Sequence, residues 1–128
     1  MKVKINIEFP INSSPHLLFP YLSTPTGLSE WFAEKVEETN DVFSFYWADS
    51  IEKAKLISKR LDEKVRFKWL DENDKETDDI FEFKISVDEI TKDVSLIVID
   101  MCDEDEVEDQ EMLWENQIHD LKIILGSV

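Results

Sequence analysis

Between Phe43 and Met101 the chain keeps returning to one pattern, and after Asp109 it abandons that pattern for another. Phe43, Phe45 and Trp47 alternate with Ser44 and Tyr46. Val65, Phe67 and Trp69 alternate with Arg66 and Lys68, and Phe81, Phe83, Ile85 and Val87 alternate with Glu82, Lys84 and Ser86. A period of two places each apolar set on one face of a half-buried strand. From about Asp109 to Leu125 the period becomes that of a helix, with Trp114, Ile118, Leu121 and Leu125 in one narrow stripe and Gln117 beside it. Consecutive strands joined by short turns pair antiparallel. The expected architecture is therefore an α+β fold. A curved antiparallel sheet of about six to seven strands wraps around a long C-terminal helix.

The rest of the chain fits around that core. Val3, Ile5, Ile7 and Phe9 alternate as a first strand, which Pro10 ends. Two short helices should follow. Ser13 or Ser14 can cap the first, with Pro15 in its opening turn, apolar Leu17, Leu18, Tyr21 and Leu22 on one side, and Pro20 kinking or shortening it. The second fits Thr24 to Phe32, where Leu28, Trp31 and Phe32 recur at helical spacing. Ala33 to Thr39 reads as a short strand closed by a tight turn at Asn40-Asp41. The lysine-decorated stretch Ile51 to Leu61 reads as a strand near a sheet edge. Asp71 to Asp79 reads as a polar loop, and the nearly continuous apolar run Val94 to Met101 as a strand covered on both faces.

A length of 128 residues without a repeat, a Gly/Ser linker or a Pro-rich tract fits a single domain over 1–128. The one cysteine, Cys102, closes no internal bridge, which suits a reducing cytoplasm. The alternating start MKVKINIEF reads as a strand and not as a secretory leader. No stretch approaches the roughly 18–20 apolar residues of a membrane span. Thirty acidic against fourteen basic side chains give a net charge of −16, which repels phosphate backbones and argues against a nucleic-acid partner.

Three segments in this order are similar to the helix-grip fold of the START-like (SRPBCC) superfamily, and most of all to its heat-shock-ATPase-activator homologues. The stretch Ser14 to Phe32 carries the segment Thr24-Pro25-Thr26-Gly27-Leu28-Ser29-Glu30-Trp31-Phe32, which resembles that family's opening after a short helix. The strand Lys64 to Trp69 resembles its aromatic strand, and Trp114 to Leu125 its terminal helix. The resemblance implies a cavity between the sheet and the helix. It also implies functions that range over binding of lipids and other apolar molecules, cyclisation chemistry and protein partnership, so fold alone does not choose among them.

Candidate lining residues for such a cavity are Trp31, Phe43, Phe45, Trp47, Phe67, Trp69, Phe81, Phe83, Trp114, Gln117, Ile118 and Leu121, with indole N–H groups as polar handles. The alternative is that these rings fill the interior solidly. Asp100 interrupts an apolar strand on the face of Val94, Leu96 and Val98, where a carboxylate at the cavity mouth would orient a ligand or act as a base. The alternative is an aspartate at a strand end reaching water. An enzymatic reading would rest on Asp100 or on a tyrosine such as Tyr46.

His16 and His119 lack zinc-ligand or triad spacing, so no catalytic residue, metal or cofactor is expected. In an ideal helix His119 lies about 140° from Trp114 and so faces outward, on a ridge with Met112 and Ile123. That ridge suits a monomer or a weak homodimer contact. Asp71, Asn73 and Glu82 fall short of a calcium loop because Lys75 and Glu76 occupy the positions for a ligand and a glycine. The acidic runs Asp78-Asp79 and Asp103 to Asp109 read as solvated charge. The function expected is noncatalytic binding of a small apolar or lipid-like ligand. The alternative is a protein-interaction module that docks through its acidic surface.

Overall fold

The computed structural model describes residues 1–126. The domain expected over 1–128 extends to Ser127 and Val128, which lie outside the described residues. Strand β1 (Lys2–Ile11) leads into two short helices, α1 (Pro15–Ser23) and α2 (Pro25–Leu28). Six strands follow, β2 (Lys35–Thr39), β3 (Val42–Trp47), β4 (Ser50–Arg60), β5 (Lys64–Leu70), β6 (Glu76–Val87) and β7 (Val94–Asp103). A 3-10 turn over Glu104–Glu106 then passes into helix α3 (Val107–Leu125). The strands form one curved antiparallel sheet in the order β1-β7-β6-β5-β4-β3-β2. From β2 to β7 it is the expected meander, and β1 closes on the far side of β7.

Alternation dictates what each face does. Phe43, Phe45, Val65, Phe67, Phe81, Phe83, Leu96 and Val98 are buried on the concave face, where α3 presents Trp114, Ile118 and Leu121. Each such side chain contributes about 1.5–3 kcal/mol by leaving water. Gly126, in the left-handed conformation (φ 70°), ends the helix. Asn40 and Asp41 both adopt positive φ (50° and 66°), which gives the β2–β3 hairpin the twist of its strands.

Several local expectations need correction. β4 is not near an edge, because it pairs with β3 on one side and β5 on the other. Its lysines are accounted for by the solvent face, where Lys53 and Lys55 pair with Asp74 and Glu76 at 3.5 and 3.6 Å. The true edges are β1 and the five-residue β2, both decorated with charge, which discourages pairing with another chain. The polar loop is shorter than expected. The Asp71 carboxylate accepts the N–H groups of Asn73 and Lys75 at 2.8 and 3.0 Å, closing a compact turn that lets β6 begin at Glu76. On β7 the outward Ile97 and Ile99 are only half-buried, so one face of that strand is covered and the other is not. Leu17 is exposed, while Phe19 takes a place in the core.

The corner between the two short helices explains the Thr24-Pro25-Thr26-Gly27 sequence. α1 continues past Pro20 to Ser23, and Thr24 then serves both helices. Its hydroxyl donates to the Pro20 carbonyl (2.8 Å) and accepts the Gly27 N–H (2.9 Å). Pro25 opens α2, which stops at Leu28 instead of running to Phe32, and the Ser29 hydroxyl donates to the Thr26 carbonyl at 2.7 Å. Turns carry the chain on, the Phe32 N–H reaching the Leu28 carbonyl at 2.9 Å. Gly27 lies so close to α1 that a Cβ there would meet the Pro20 oxygen at 2.1 Å and the Tyr21 Cα at 2.6 Å. Those are backbone atoms with no rotamer to give way. We expect Gly27→Ala to lower stability by about 1–3 kcal/mol, read as a lower urea midpoint at unchanged slope. An unchanged midpoint would mean the corner has room that these distances deny.

Candidate functional site

The β6–β7 ladder runs from Val87↔Val94 only as far as Glu82↔Ile99. Beyond that rung β6 continues along β5 to Leu70↔Glu76, while β7 continues along β1 to Lys2↔Asp103. The two strands therefore part company, and the sheet opens like a split seam. Thr77, Asp79 and Phe81 lie on one side of the split, and Asp100 and Met101 on the other. The first half of α3 overhangs it with Gln110, Leu113, Trp114 and Gln117. The result is a cleft of about 650 Å³, within the range of small-molecule sites. Its remaining walls are Phe32, Trp47, Ser50, Glu52, Trp69 and Leu70, and Lys2 stands at the rim.

The floor is built around Phe32. Its ring stacks on Phe81 on the sheet (centroids 5.7 Å apart, planes at 25°) and on Trp114 of α3 (5.8 Å, 17°). It also meets Phe45, Trp47 and Phe83 edge-on. The Phe32 carbonyl accepts the Trp47 indole N–H at 3.0 Å and the Gln117 amide at 3.5 Å. One residue thus supplies a ring to the core and an acceptor to two cleft walls.

Asp100 is buried at the inner end, 6% exposed. Its Oδ2 accepts the Trp114 indole N–H and the Gln110 amide, each at 2.8 Å, and its Oδ1 accepts the Met101 N–H at 2.8 Å. Three donors on one carboxylate fix its direction. At the rim the Lys2 ammonium meets the Asp79 carboxylate at 3.1 Å and spans the split. That hydrogen bond raises the Lys2 pKa above its ordinary value against the opposing effect of burial, with the charges of Asp79, Asp103 and Asp100 adding to it. Cys102, on the concave face of β7, has its thiol pushed up by burial first and then by Asp100, Glu106 and Asp103.

The candidates from sequence divide into two groups. Trp47, Trp69, Phe81, Asp100, Trp114 and Gln117 come together around the cleft. Trp31, Phe43, Phe45, Phe67, Phe83, Ile118 and Leu121 lie behind it in packed core, where Phe67 and Phe81 stack at 4.8 Å. The rings therefore fill the deep end and wall only the open end. The indoles are less available than expected, since Trp47, Trp114 and Trp31 already donate to Phe32, Asp100 and the Tyr21 carbonyl.

Tyr46 is removed from the enzymatic candidates because it faces outward, under the Lys35 ammonium (5.1 Å) and hydrogen-bonded to Glu37, which raises its pKa. His16 pairs with Asp62 at 3.3 Å on the surface, and His119 is exposed on α3. The sequence does not single out Phe32, Lys2, Thr77 or Gln110 as site residues, the Trp31-Phe32 pair reading only as one face of a helix. Asp79, expected as solvated charge, instead binds Lys2 at the rim. Asp103, Asp105 and Glu106 bring carboxylate oxygens within 4.8 Å of one another on the surface, as an acidic run on a tight turn does.

The START-like superfamily domain model matches residues 1–127, and the chain belongs to that superfamily. No curated protein matches it. A Bacteroides fragilis protein solved in solution by NMR is 35% identical, covers 99% of this chain and 93% of its own, and has a TM-score of 0.69. The solution structure of the Aha1 dimer from Colwellia psychrerythraea is 16% identical (94% and 93% covered, TM-score 0.76). A Mesorhizobium loti protein is 13% identical (97% and 97%, TM-score 0.77). The last two likenesses are of fold alone.

The rim pair gives a pH-dependent prediction. Because the folded pKa of Lys2 is raised, its contribution is complete below the unfolded value of about 10.4 and is lost as pH rises through the folded value. Lys2 is half-exposed, so the pair is worth at most about 1 kcal/mol. Lys2→Met should lower stability by that amount at neutral pH, with the gap to wild type closing in alkaline urea titrations. A gap that persists at the alkaline end would assign the loss to something other than the ion pair.

Proposed function

We propose that this START-like superfamily member is a noncatalytic binding protein that holds a small, largely apolar molecule in the cleft between the parted ends of β6 and β7 and helix α3. The observation that carries the reading is the split itself. Continuing the ladder past Glu82↔Ile99 would have sealed the sheet, yet the strands diverge and leave Trp47, Trp69 and Leu113 around an opening that reaches the buried Asp100. Apolar walls with a few fixed polar groups are the usual make-up of small-molecule sites. Asp100 supports binding over proton transfer, since both oxygens already accept internal donors. Cytoplasmic residence belongs to the same reading and suits the single free thiol. Among the described residues no helix is long and apolar enough to cross a membrane.

Native mass spectrometry of the protein as expressed should show a bound small molecule, and Trp69→Ala, which removes a half-buried wall, should lose most of it while the fold survives. A ligand retained equally by wild type and Trp69→Ala would place it elsewhere. No adduct, together with failure to take up any neutral or charged alkyl probe, would count against the cleft as a binding site.

A second reading, a protein-interaction module, is favoured by the outward side of α3. There Met112 and Ile123 are 61% and 54% exposed. The occupant this reading commits to is a second copy, since the similar Colwellia psychrerythraea protein is described as a dimer. Sedimentation should then show a weak monomer–dimer equilibrium that Ile123→Glu abolishes. A monomer at all concentrations would sink it.

A further inference from the structure

We propose that the ligand of this cleft carries a positive charge: an organic ammonium group on an apolar body. The inference rests on the binding role proposed above and follows from counting what the cleft has left to offer. Its donors are largely spent internally, Trp114 and Gln110 on Asp100, Trp47 and Gln117 on the Phe32 carbonyl, and Thr77 on the Trp69 carbonyl. The one ammonium, Lys2, is engaged by Asp79. Acceptors and ring faces make up most of what remains, beside the Trp69 indole N–H and the Ser50 hydroxyl.

Glu52, Asp79 and Asp100 set three carboxylates against that single lysine around the cleft, and the whole chain carries −16. An anionic amphiphile entering here would lose its hydration, meet this field and find few free donors. A cation would meet carboxylate oxygens and the aromatic faces of Trp47 and Trp69, which attract it through their quadrupoles. A quaternary ammonium needs no hydrogen-bond acceptor of its own, so the commitments already made inside the cleft cost it nothing.

The experiment compares three probes of one chain length, decyltrimethylammonium and decanoate below their micelle concentrations and decanol below its solubility limit, by calorimetry at low and moderate salt. The cation should bind about tenfold or more tighter than decanol. Decanoate should be the weakest, and only the cation's affinity should fall as salt rises.

Glu52→Gln, and Asp79→Asn, which also frees Lys2, should each weaken the cation severalfold and leave decanol unchanged. Glu8→Gln, the same charge change on an exposed site of β1, should do nothing. Decanoate binding as tightly as the cation would overturn the proposal while leaving an apolar-ligand site standing. Equal weakening by Glu8→Gln would reduce the effect to diffuse surface charge and overturn it too. Failure of all three probes to bind would remove the binding role and this inference together.

Discussion

The sandwich of Phe81, Phe32 and Trp114 is the joint on which the structure turns. The sheet supplies Phe81 and α3 supplies Trp114, and the ring between them comes from neither, but from the turn after α2. A helix resting on a concave sheet needs something to fill the gap that curvature leaves, and interior packing admits few voids. Phe32 fills it at the centre, so the placement of the helix depends on a segment with no regular secondary structure. That segment is held in turn by the Thr24 hydroxyl shared between α1 and α2, by the close approach at Gly27, and by the Trp31 indole on the Tyr21 carbonyl (2.7 Å).

With the centre filled, the space left over is displaced to one end. There the divergence of β6 and β7 leaves backbone groups without a partner strand, and local side chains answer for several of them. The Thr77 hydroxyl accepts the Asp79 N–H and donates to the Trp69 carbonyl, where the β5–β6 register is interrupted, and the Asp100 carboxylate accepts the Met101 N–H. The polar residues of the cleft therefore serve the fold first, and their arrangement decides which valences still face the opening. Site chemistry here is what remains after structural demands are met.

Much of the fold was legible in the sequence because alternation and helical spacing are local signals. The strands around Phe45, Phe67 and Phe83 and the stripe Trp114, Ile118, Leu121 follow from period alone, and the hairpin at Asn40-Asp41 from its turn residues. What escaped was set by pairing or by single contacts. The lysines of β4 suggested an edge because composition reports solvent on a face and says nothing of neighbours within the sheet. The acidic start of β6 looked like loop because the turn made by the Asp71 carboxylate has no periodic signature. The end of the β6–β7 ladder, and with it the cleft, depends on where two distant segments stop agreeing in register. No window on either strand contains that information.

The same parting of strands has a mechanical side. Past Glu82↔Ile99, β1 and β7 form one lip with an unbroken ladder, and β5 and β6 form the other, its register interrupted between Lys68 and Leu70. Spreading the lips breaks the contact between Lys2 and Asp79 and loosens Phe32 from one neighbour, but it ruptures no backbone ladder. Aperture in this protein is thus priced in one exposed ion pair and some ring contact, a far softer spring than the sheet that carries it.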